Sequence, residues 1–577
     1  MNILGISCFY HDAAAALLVD GKLVAAAEEE RFSRKKHDSG FPERAIAFCL
    51  RHAGLSSAQV DYVVFYEKPF LKFDRILKSC IETYPRSCTL FREAMIHWLF
   101  DKLWIKSLLE EKLGIASERI LFSQHHLSHA ASAFLCSPFE KAAILTVDGV
   151  GEWHTATVGK GEGNRISLLY EMNFPHSVGL LYSVFTAFLG FEVNEGEYKV
   201  MGMAPYGEPI YCDKIRKVVK VFEDGSLWLD PRYFCHHYSG TRIFSGDFLR
   251  LFGKPRDPKI SDALEKDYAD LAASIQRITE EIVVKMARHA HTVTGLDRLC
   301  LAGGVALNTV ANWKILRETP IRELFVQPAS GDSGGALGAA LYAASLLGEP
   351  RNFVMEHAYW GASFADEEVL RFFEEKKIPF WKAPDEGALV ERVIHHLEKG
   401  SVVGWMQGRF EWGPRALGNR SILADPRRAE MKDIVNRKIK FREPFRPFAP
   451  SVLSDRIEEY FELQNGEGGY PPRFMLLVPP VRQEKRPVIP AVTHVDGTGR
   501  LQAVVKETNA LYYRLIKRFE EKTGVPVVLN TSFNLKGEPI VSSPEDAYST
   551  FVRSGMDALA IGPFVVEKES IEEGKER

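Results

Sequence analysis

The sequence predicts an α/β protein of two domains, and three features carry that prediction. A β-hairpin unit at the start of the chain recurs from Ala142. Two glycine turns, each feeding a helix, follow before residue 347. The strand and helix pattern then changes beyond the segment Gly348–Phe353. A chain of 577 residues also exceeds what one hydrophobic core sustains.

The first unit reads as a strand over Asn2–Phe9, a polar turn at Tyr10-His11-Asp12, a strand over Ala13–Val19, the turn Asp20-Gly21 and a strand over Lys22–Ala27. The second reads as a strand over Ala142–Val147, the turn Asp148–Gly151, and a strand over Glu152–Gly159 running on into Arg165–Tyr170. Short apolar runs divided by Asp-Gly turns are the hairpin signal. Helical segments follow both units, so the first domain is expected to hold two related halves with ligands in the cleft between them. A long helix is expected over Ile260–Thr294. Strands then enter the turn Gly303-Gly304 and the turn Gly331–Gly335. In the second domain, helices near Asp366–Lys376 and Glu386–Lys399 precede a strand at Ser401–Met406. The domains are expected to span 1–347 and 355–577.

Composition narrows the function classes. Hydrophobic residues are 46% and charged residues 26%, which is ordinary for a soluble globular chain. A net charge of -3 gives no overall nucleic-acid or membrane footprint. No uncharged apolar run reaches the roughly 18 residues of a membrane span. The opening stretch lacks a basic n-region, and its apolar run is broken by His11 and Asp12, so it does not read as a signal peptide. The 8 cysteines form no CxxC pair and suit isolated thiols in a reducing cytoplasm.

His125 and His129 lie one helical turn apart, so on a helix they share a face. Two imidazoles at that spacing can chelate one divalent ion, and capping or core histidines are the other reading. Asp148 and Asp332, each in a glycine turn, can add two oxygens; iron, manganese and magnesium all suit such a set. Gly303-Gly304 and Gly331–Gly335 let a backbone approach a ligand and offer N–H groups to phosphate. Glu195–Gly207 breaks a helical pattern with glycine and polar residues, which suits a substrate loop. His11 on its turn can act as a general base near neutral pH, although such a pair with Asp12 is more often structural.

The densest constellation lies in the second domain. Arg415, Arg420, Lys438, Lys440, Arg442 and Arg446 alternate with Trp412, Phe445 and Phe448. Prolines deny the later part a long helix, so the cations sit on a stiff extended chain. That suits binding of a triphosphate or acyl phosphate. Val527–Leu529 reads as a buried strand emptying into a polar turn at Asn530, Thr531, Ser532 and Asn534. Two unlike phosphate-type sites in one chain suit making an activated group at one and using it at the other.

The stretches LGISCFYHDAAAALLVDG, HHLSHAASAF, LTVDGVGE, EGEYKVMGMAPYG, LAGGVALN, GDSGGALGAA, GRFEWGPRALGNRSILADPR, FREPFRPFAP and LNTSFNLKGEPIV resemble the nodulation-type and antibiotic-tailoring O-carbamoyltransferases. The resemblance covers nearly the whole chain. It implies an N-terminal domain of the actin/Hsp70/sugar-kinase superfold, a duplicated ribonuclease-H-like architecture, and a C-terminal YrdC-like α/β domain. It further implies that carbamoyl phosphate and ATP give carbamoyladenylate, whose carbamoyl group passes to a hydroxyl of a small-molecule acceptor. His125, His129, Asp148 and Asp332 would then be metal ligands and His11 the base. Gly303, Gly304, Asn308 and Lys199 would flank the adenylate, and Arg415, Arg420, Lys440, Arg446 and Ser532 would hold carbamoyl phosphate and ATP. A small-molecule kinase of the same superfold and a tRNA-modifying carbamoyltransferase are the alternatives. The first leaves the arginine-rich half without a purpose, and the second fits poorly with a near-neutral charge.

Overall fold

A computed structural model describes residues 1–100, 102–257, 264–463 and 469–571. The chain divides into two compact units: residues 1–29 with 39–355, and residues 30–38 with the chain from Glu356 on.

The first unit holds two five-stranded sheets built on one plan. In the first sheet β1 (Asn2–Ser7), β2 (Ala14–Val19) and β3 (Lys22–Glu28) form an antiparallel meander. Strands β4 (Tyr62–Phe65) and β5 (Ile120–Phe122) then add in parallel beside β1. The second sheet repeats this with β6 (Lys141–Val147), β7 (His154–Glu162) and β8 (Arg165–Asn173) as the meander. After a small ribbon of β9 (Val219–Val221) and β10 (Leu227–Leu229), strands β11 (Arg298–Ala302) and β12 (Glu323–Phe325) add in parallel beside β6. The two orders, β3-β2-β1-β4-β5 and β8-β7-β6-β11-β12, match strand for strand. The hairpin recurrence in the sequence is thus a duplicated sheet. The turn Asp148–Gly151 is longer than its counterpart, so β7 starts at His154 rather than Glu152.

Small residues hold this unit together at its centre. The helix Asp332–Leu346 lies between β1 and the helix His125–Phe134. A Cβ on Gly5 would fall 1.9 Å from the Ala336 carbonyl oxygen, and one on Gly338 would fall 1.8 Å from that of Ser128. Only glycine permits both approaches. The close fit brings the start of the helix, Asp332, to the start of its neighbour, His125. The long helix observed is Lys266–Thr294, ended by Gly295 in the left-handed region; residues 260–263 of the expected helix lie outside the described residues.

The second unit is one mixed eight-stranded sheet flanked by helices. Its strands are β13 (Trp381–Lys382), β14 (Val403–Met406), β15 (Arg420–Ala424), β16 (Ala449–Leu453), β17 (Gln502–Val504), β18 (Val527–Ser532), β19 (Ala558–Ile561) and β20 (Phe564–Glu567), ordered β13-β20-β19-β14-β15-β18-β16-β17. The excursion 30–38 belongs to this unit, which the sequence pattern does not anticipate. Arg31 is buried and donates to the Gly413 carbonyl at 2.5 Å. Arg34 donates to the carbonyls of Ile540 and Pro539 at 2.7 and 3.0 Å and pairs with Asp546 at 3.3 Å.

Glu411 organises the loop that Arg31 reaches. Its Oε1 accepts the backbone N–H groups of Leu417 (2.7 Å), Asn419 (2.8 Å) and Arg420 (3.1 Å), and the side chain is fully buried. Three buried donors depend on one carboxylate oxygen. Glu411→Ala is therefore expected to destabilise the second unit by about 3–5 kcal/mol, read as an earlier urea transition for that unit. An unchanged transition would show that the loop re-pairs its N–H groups. Among the described residues no helix is long and apolar enough to cross a membrane.

Candidate metal centre and anion site

Three local features deliver the candidate metal centre. The helix His125–Phe134 starts at His125 itself, so His125 and His129 share its first turns. Strand β6 ends one residue before Asp148. The small-residue helix begins at Asp332. One ligand atom from each of these four buried residues lies within 4.8 Å of the others. The Nε2 atoms of His125 and His129 lie 3.0 Å apart. Asp148 Oδ2 lies 2.9 and 3.3 Å from these nitrogens, and Asp332 Oδ1 lies 3.6 and 3.7 Å away. The second oxygen of Asp332 is buried without a hydrogen-bond partner. Two imidazole nitrogens facing each other beside two carboxylates, with a buried oxygen unmatched, fit a divalent cation.

The electrostatics agree. Burial alone would push Asp148 up, yet its hydrogen bonds with His125 and His129 hold its carboxyl well below the usual range. Burial works against charge on His129 too, but Asp148 and Asp332 lift it to about 9. The ion-free cluster thus keeps a proton on His129 at neutral pH, and an incoming ion must displace it. Because the folded value lies above the ordinary one, the competing proton is present below pH 9 and gone above it. The apparent affinity for a divalent ion is expected to rise about tenfold per pH unit between about pH 6 and 9. Titration calorimetry in buffers of different ionisation enthalpy measures the released proton directly. A flat affinity over that range would contradict the assignment.

Other carboxylates support the cluster. Glu152 accepts the backbone N–H of His125 at 3.0 Å and that of Lys68 at 2.8 Å, and so caps two helices from outside. Glu67 pairs with buried Lys72 at 2.7 Å, its Oε2 3.9 Å from His125 Nδ1. The sequence pattern singles out neither Glu152 nor Glu67. Only LTVDGVGE, which carries Glu152 just after Asp148, offers a signal.

The remaining expected residues of the first unit fall into two groups. Gly304 donates its N–H to Asp148 Oδ1 at 3.0 Å, and Gly303 adopts φ 94 with a Cβ position only 2.2 Å from the Val147 carbonyl oxygen. The glycine turn is therefore docked on the candidate metal cluster. His11 lies 2.6 Å from Asp12 through Nδ1 and 2.8 Å from the Asn194 carbonyl through Nε2. Lys199, on the helix Glu197–Met203, lies over Phe191. Asn308 serves the fold instead. Its Oδ1 caps Ala311 N at 3.1 Å, and its amide is paired with Gln276.

In the second unit Lys440 is the focus. Its ammonium, buried in the protein, donates among the carbonyl and hydroxyl of Ser532 (2.7 and 3.2 Å) and the carbonyl and amide oxygen of Asn534 (2.8 and 2.6 Å). Burial pushes it well below its ordinary range, and the charges of Arg442, Arg446 and Lys36 add to the shift. Arg446 lies 3.8 Å from Glu443, and Arg415 is half-buried on the Glu411 loop. Arg420 stands apart. It is fully buried, and its guanidinium donates to the carbonyls of Gln407, Gly408, Asn419, Ala362 and Ser542. It holds the loop together through these bonds. Sequence reasoning cannot separate an arginine aimed at phosphate from one aimed at backbone carbonyls.

A duplicated α/β unit carries the candidate two-histidine, two-carboxylate centre, and a second α/β unit carries clustered cations. Residues 2–341 match the carbamoyltransferase N-terminus model and residues 394–568 the carbamoyltransferase C-terminus model. The chain belongs to this carbamoyltransferase family and is a transferase. It is 45% identical to an uncharacterized protein of Synechocystis sp., over 98% of this chain and 97% of that one. It is 39% identical to the nodulation protein NolNO of Sinorhizobium fredii, over 97% of this chain and 79% of the relative. Among solved structures, component A of the (R)-2-hydroxyglutaryl-CoA dehydratase of Acidaminococcus fermentans aligns with 60% of this chain and 99% of its own. Its TM-score is 0.32 and its identity 16%, so it carries no functional weight.

Proposed function

We propose that the chain is an ATP-dependent O-carbamoyltransferase acting on a hydroxyl of a small-molecule acceptor, a sugar or another natural product. One observation carries this reading. A chain that matches the carbamoyltransferase family at both ends has a candidate metal centre in one unit and a crowd of cations around Lys440 in the other. A kinase has no use for the second site.

In the second unit, Arg415, Lys440, Arg446 and the Ser532 turn would hold carbamoyl phosphate and ATP. One water would cleave carbamoyl phosphate to carbamate and phosphate, and a carbamate oxygen would then bond to the α-phosphorus of ATP as the bond to pyrophosphate breaks, giving carbamoyladenylate. Adenylation gives the carbamoyl carbon AMP as a leaving group, where free carbamate offers only hydroxide, and keeping the adenylate within one protein protects it from water. In the first unit, the Gly303-Gly304 turn and Lys199 would flank the adenylate. His125, His129, Asp148 and Asp332 would hold a divalent ion, which when bound polarises the carbonyl under attack. His11 takes the proton of the acceptor hydroxyl as its oxygen bonds to the carbamoyl carbon. AMP departs.

The two half-reactions are separable. His11→Asn is expected to keep carbamoyl-phosphate-dependent pyrophosphate release while carbamoyl transfer falls about 10²–10⁴-fold, the usual worth of a general base. Transfer at the normal rate in this variant would assign the base to another group.

A further inference from the structure

Both ring nitrogens of His11 face groups that can only accept. Nδ1 meets the Asp12 carboxylate at 2.6 Å, and Nε2 meets the main-chain carbonyl of Asn194 at 2.8 Å. Each contact needs a hydrogen on the ring, so the ring in this arrangement is an imidazolium. The charges around it agree. Burial disfavours the cation, but the hydrogen bond and charge of Asp12 outweigh it and raise His11 above its ordinary range. An imidazolium has no lone pair with which to take a proton from a hydroxyl.

The blocking carbonyl is held in place by its own turn. Asn194 adopts φ 68, a left-handed conformation that Asn tolerates. Its N–H donates to Glu197 Oε1 at 3.0 Å, and the same oxygen accepts from Ser183 Oγ at 2.8 Å. Ser183 sits on the helix Val178–Phe188. Gly196 N closes the turn on the Glu192 carbonyl at 2.6 Å, where a Cβ on Gly196 would clash.

We propose that Asn194 is a positioning residue that gates the base: its carbonyl must leave His11 Nε2 before an acceptor hydroxyl can use that nitrogen. This rests on the reading of His11 as the base. When the turn 192–196 withdraws, the Nε2 proton passes to solvent, and Asp12 keeps Nδ1–H oriented. The bared Nε2 then takes the hydroxyl proton as the new C–O bond forms and the bond to the AMP oxygen breaks. With the gate shut, water cannot be activated by His11 either, so the adenylate survives until an acceptor opens the turn. Segment Glu195–Gly207, which the sequence marks as a substrate loop, begins at this turn.

The test uses the full-length protein with ¹⁵N-labelled histidine, the His11 signals being assigned by their loss in His11→Asn. Wild type at about pH 7 should show both His11 nitrogens protonated, as a group raised well above its ordinary range must be. Glu197→Ala, which removes the anchor of the turn, should let Nε2 lose its proton at a lower pH than in wild type. It should also raise acceptor-free AMP release driven by carbamoyl phosphate about tenfold, well within what activation of water by a general base can supply. Ser183→Ala, a milder change, should move both readouts the same way by less. A bare Nε2 in wild type, or anchor variants that leave both the titration of the ring and AMP release unchanged, would overturn the gate while leaving the base reading intact. Wild-type transfer by His11→Asn would instead remove the base reading, whatever the ring spectrum shows.

Discussion

Lys440→Met is expected to cut carbamoyl-phosphate-dependent pyrophosphate release at least about 10²–10³-fold, the usual cost of deleting one preorganised donor from a charged transition state. The reason lies in how unfavourable this ammonium is without a ligand. It is buried, pushed well below its ordinary range, and crowded by Arg442, Arg446 and Lys36. A desolvated ammonium beside further cations attracts a phosphate strongly, because little water screens the charges. The four oxygens of Ser532 and Asn534 fix the ammonium in place, and no reorganisation is needed at the moment of reaction. Methionine keeps the volume of the aliphatic stem and removes the charge. A melting comparison with wild type separates loss of the cation from loss of the fold. Pyrophosphate release at the wild-type rate in a folded variant would place the anion site elsewhere.

Asp148→Asn should strike the other half-reaction. The change preserves shape, but it takes the charge from an oxygen 2.9 and 3.3 Å from the two imidazole nitrogens. The other Asp148 oxygen accepts Gly304 N at 3.0 Å, so the glycine turn also loses a charged partner. Changes in groups that only support metal ligands cost about 10–100-fold in affinity, and a ligand itself should exceed that range. Metal retained after dialysis, measured by elemental analysis, should fall to near background, and carbamoyl transfer should fall with it. Pyrophosphate release should persist, because the proposed function assigns it to the unit from Glu356 on. If both half-reactions fall together, the division of labour between the units is wrong.

How much of this is legible in the sequence depends on how local each signal is. The duplicated sheet is legible because Asp20-Gly21 is a turn with positive φ at both residues, bracketed by short apolar runs. The pairing of His125 with His129 is legible because one helical turn is a fixed distance. Their meeting with Asp148 and Asp332 is suggested only by glycine turns; what enforces it is the approach of Gly5 and Gly338 to neighbouring backbones. The excursion 30–38 is not legible. The carbonyls that Arg31 and Arg34 bind lie hundreds of residues away in sequence, so no local pattern marks them. For Arg420 and Asn308, residue type suggests a ligand, and the structure adds bonds to loop carbonyls and a helix cap that residue type does not reveal. Glu152 gives no sequence signal of its own because the helices it caps begin far from it in the chain.

On this reading one unit makes an activated carbamoyl group and the other spends it. ATP turnover by the purified protein, with and without carbamoyl phosphate and with no acceptor present, decides the matter. Pyrophosphate should appear only when carbamoyl phosphate is added, and no ADP should form. ADP formation indifferent to carbamoyl phosphate would contradict two-site carbamoyl transfer and make the chain a kinase.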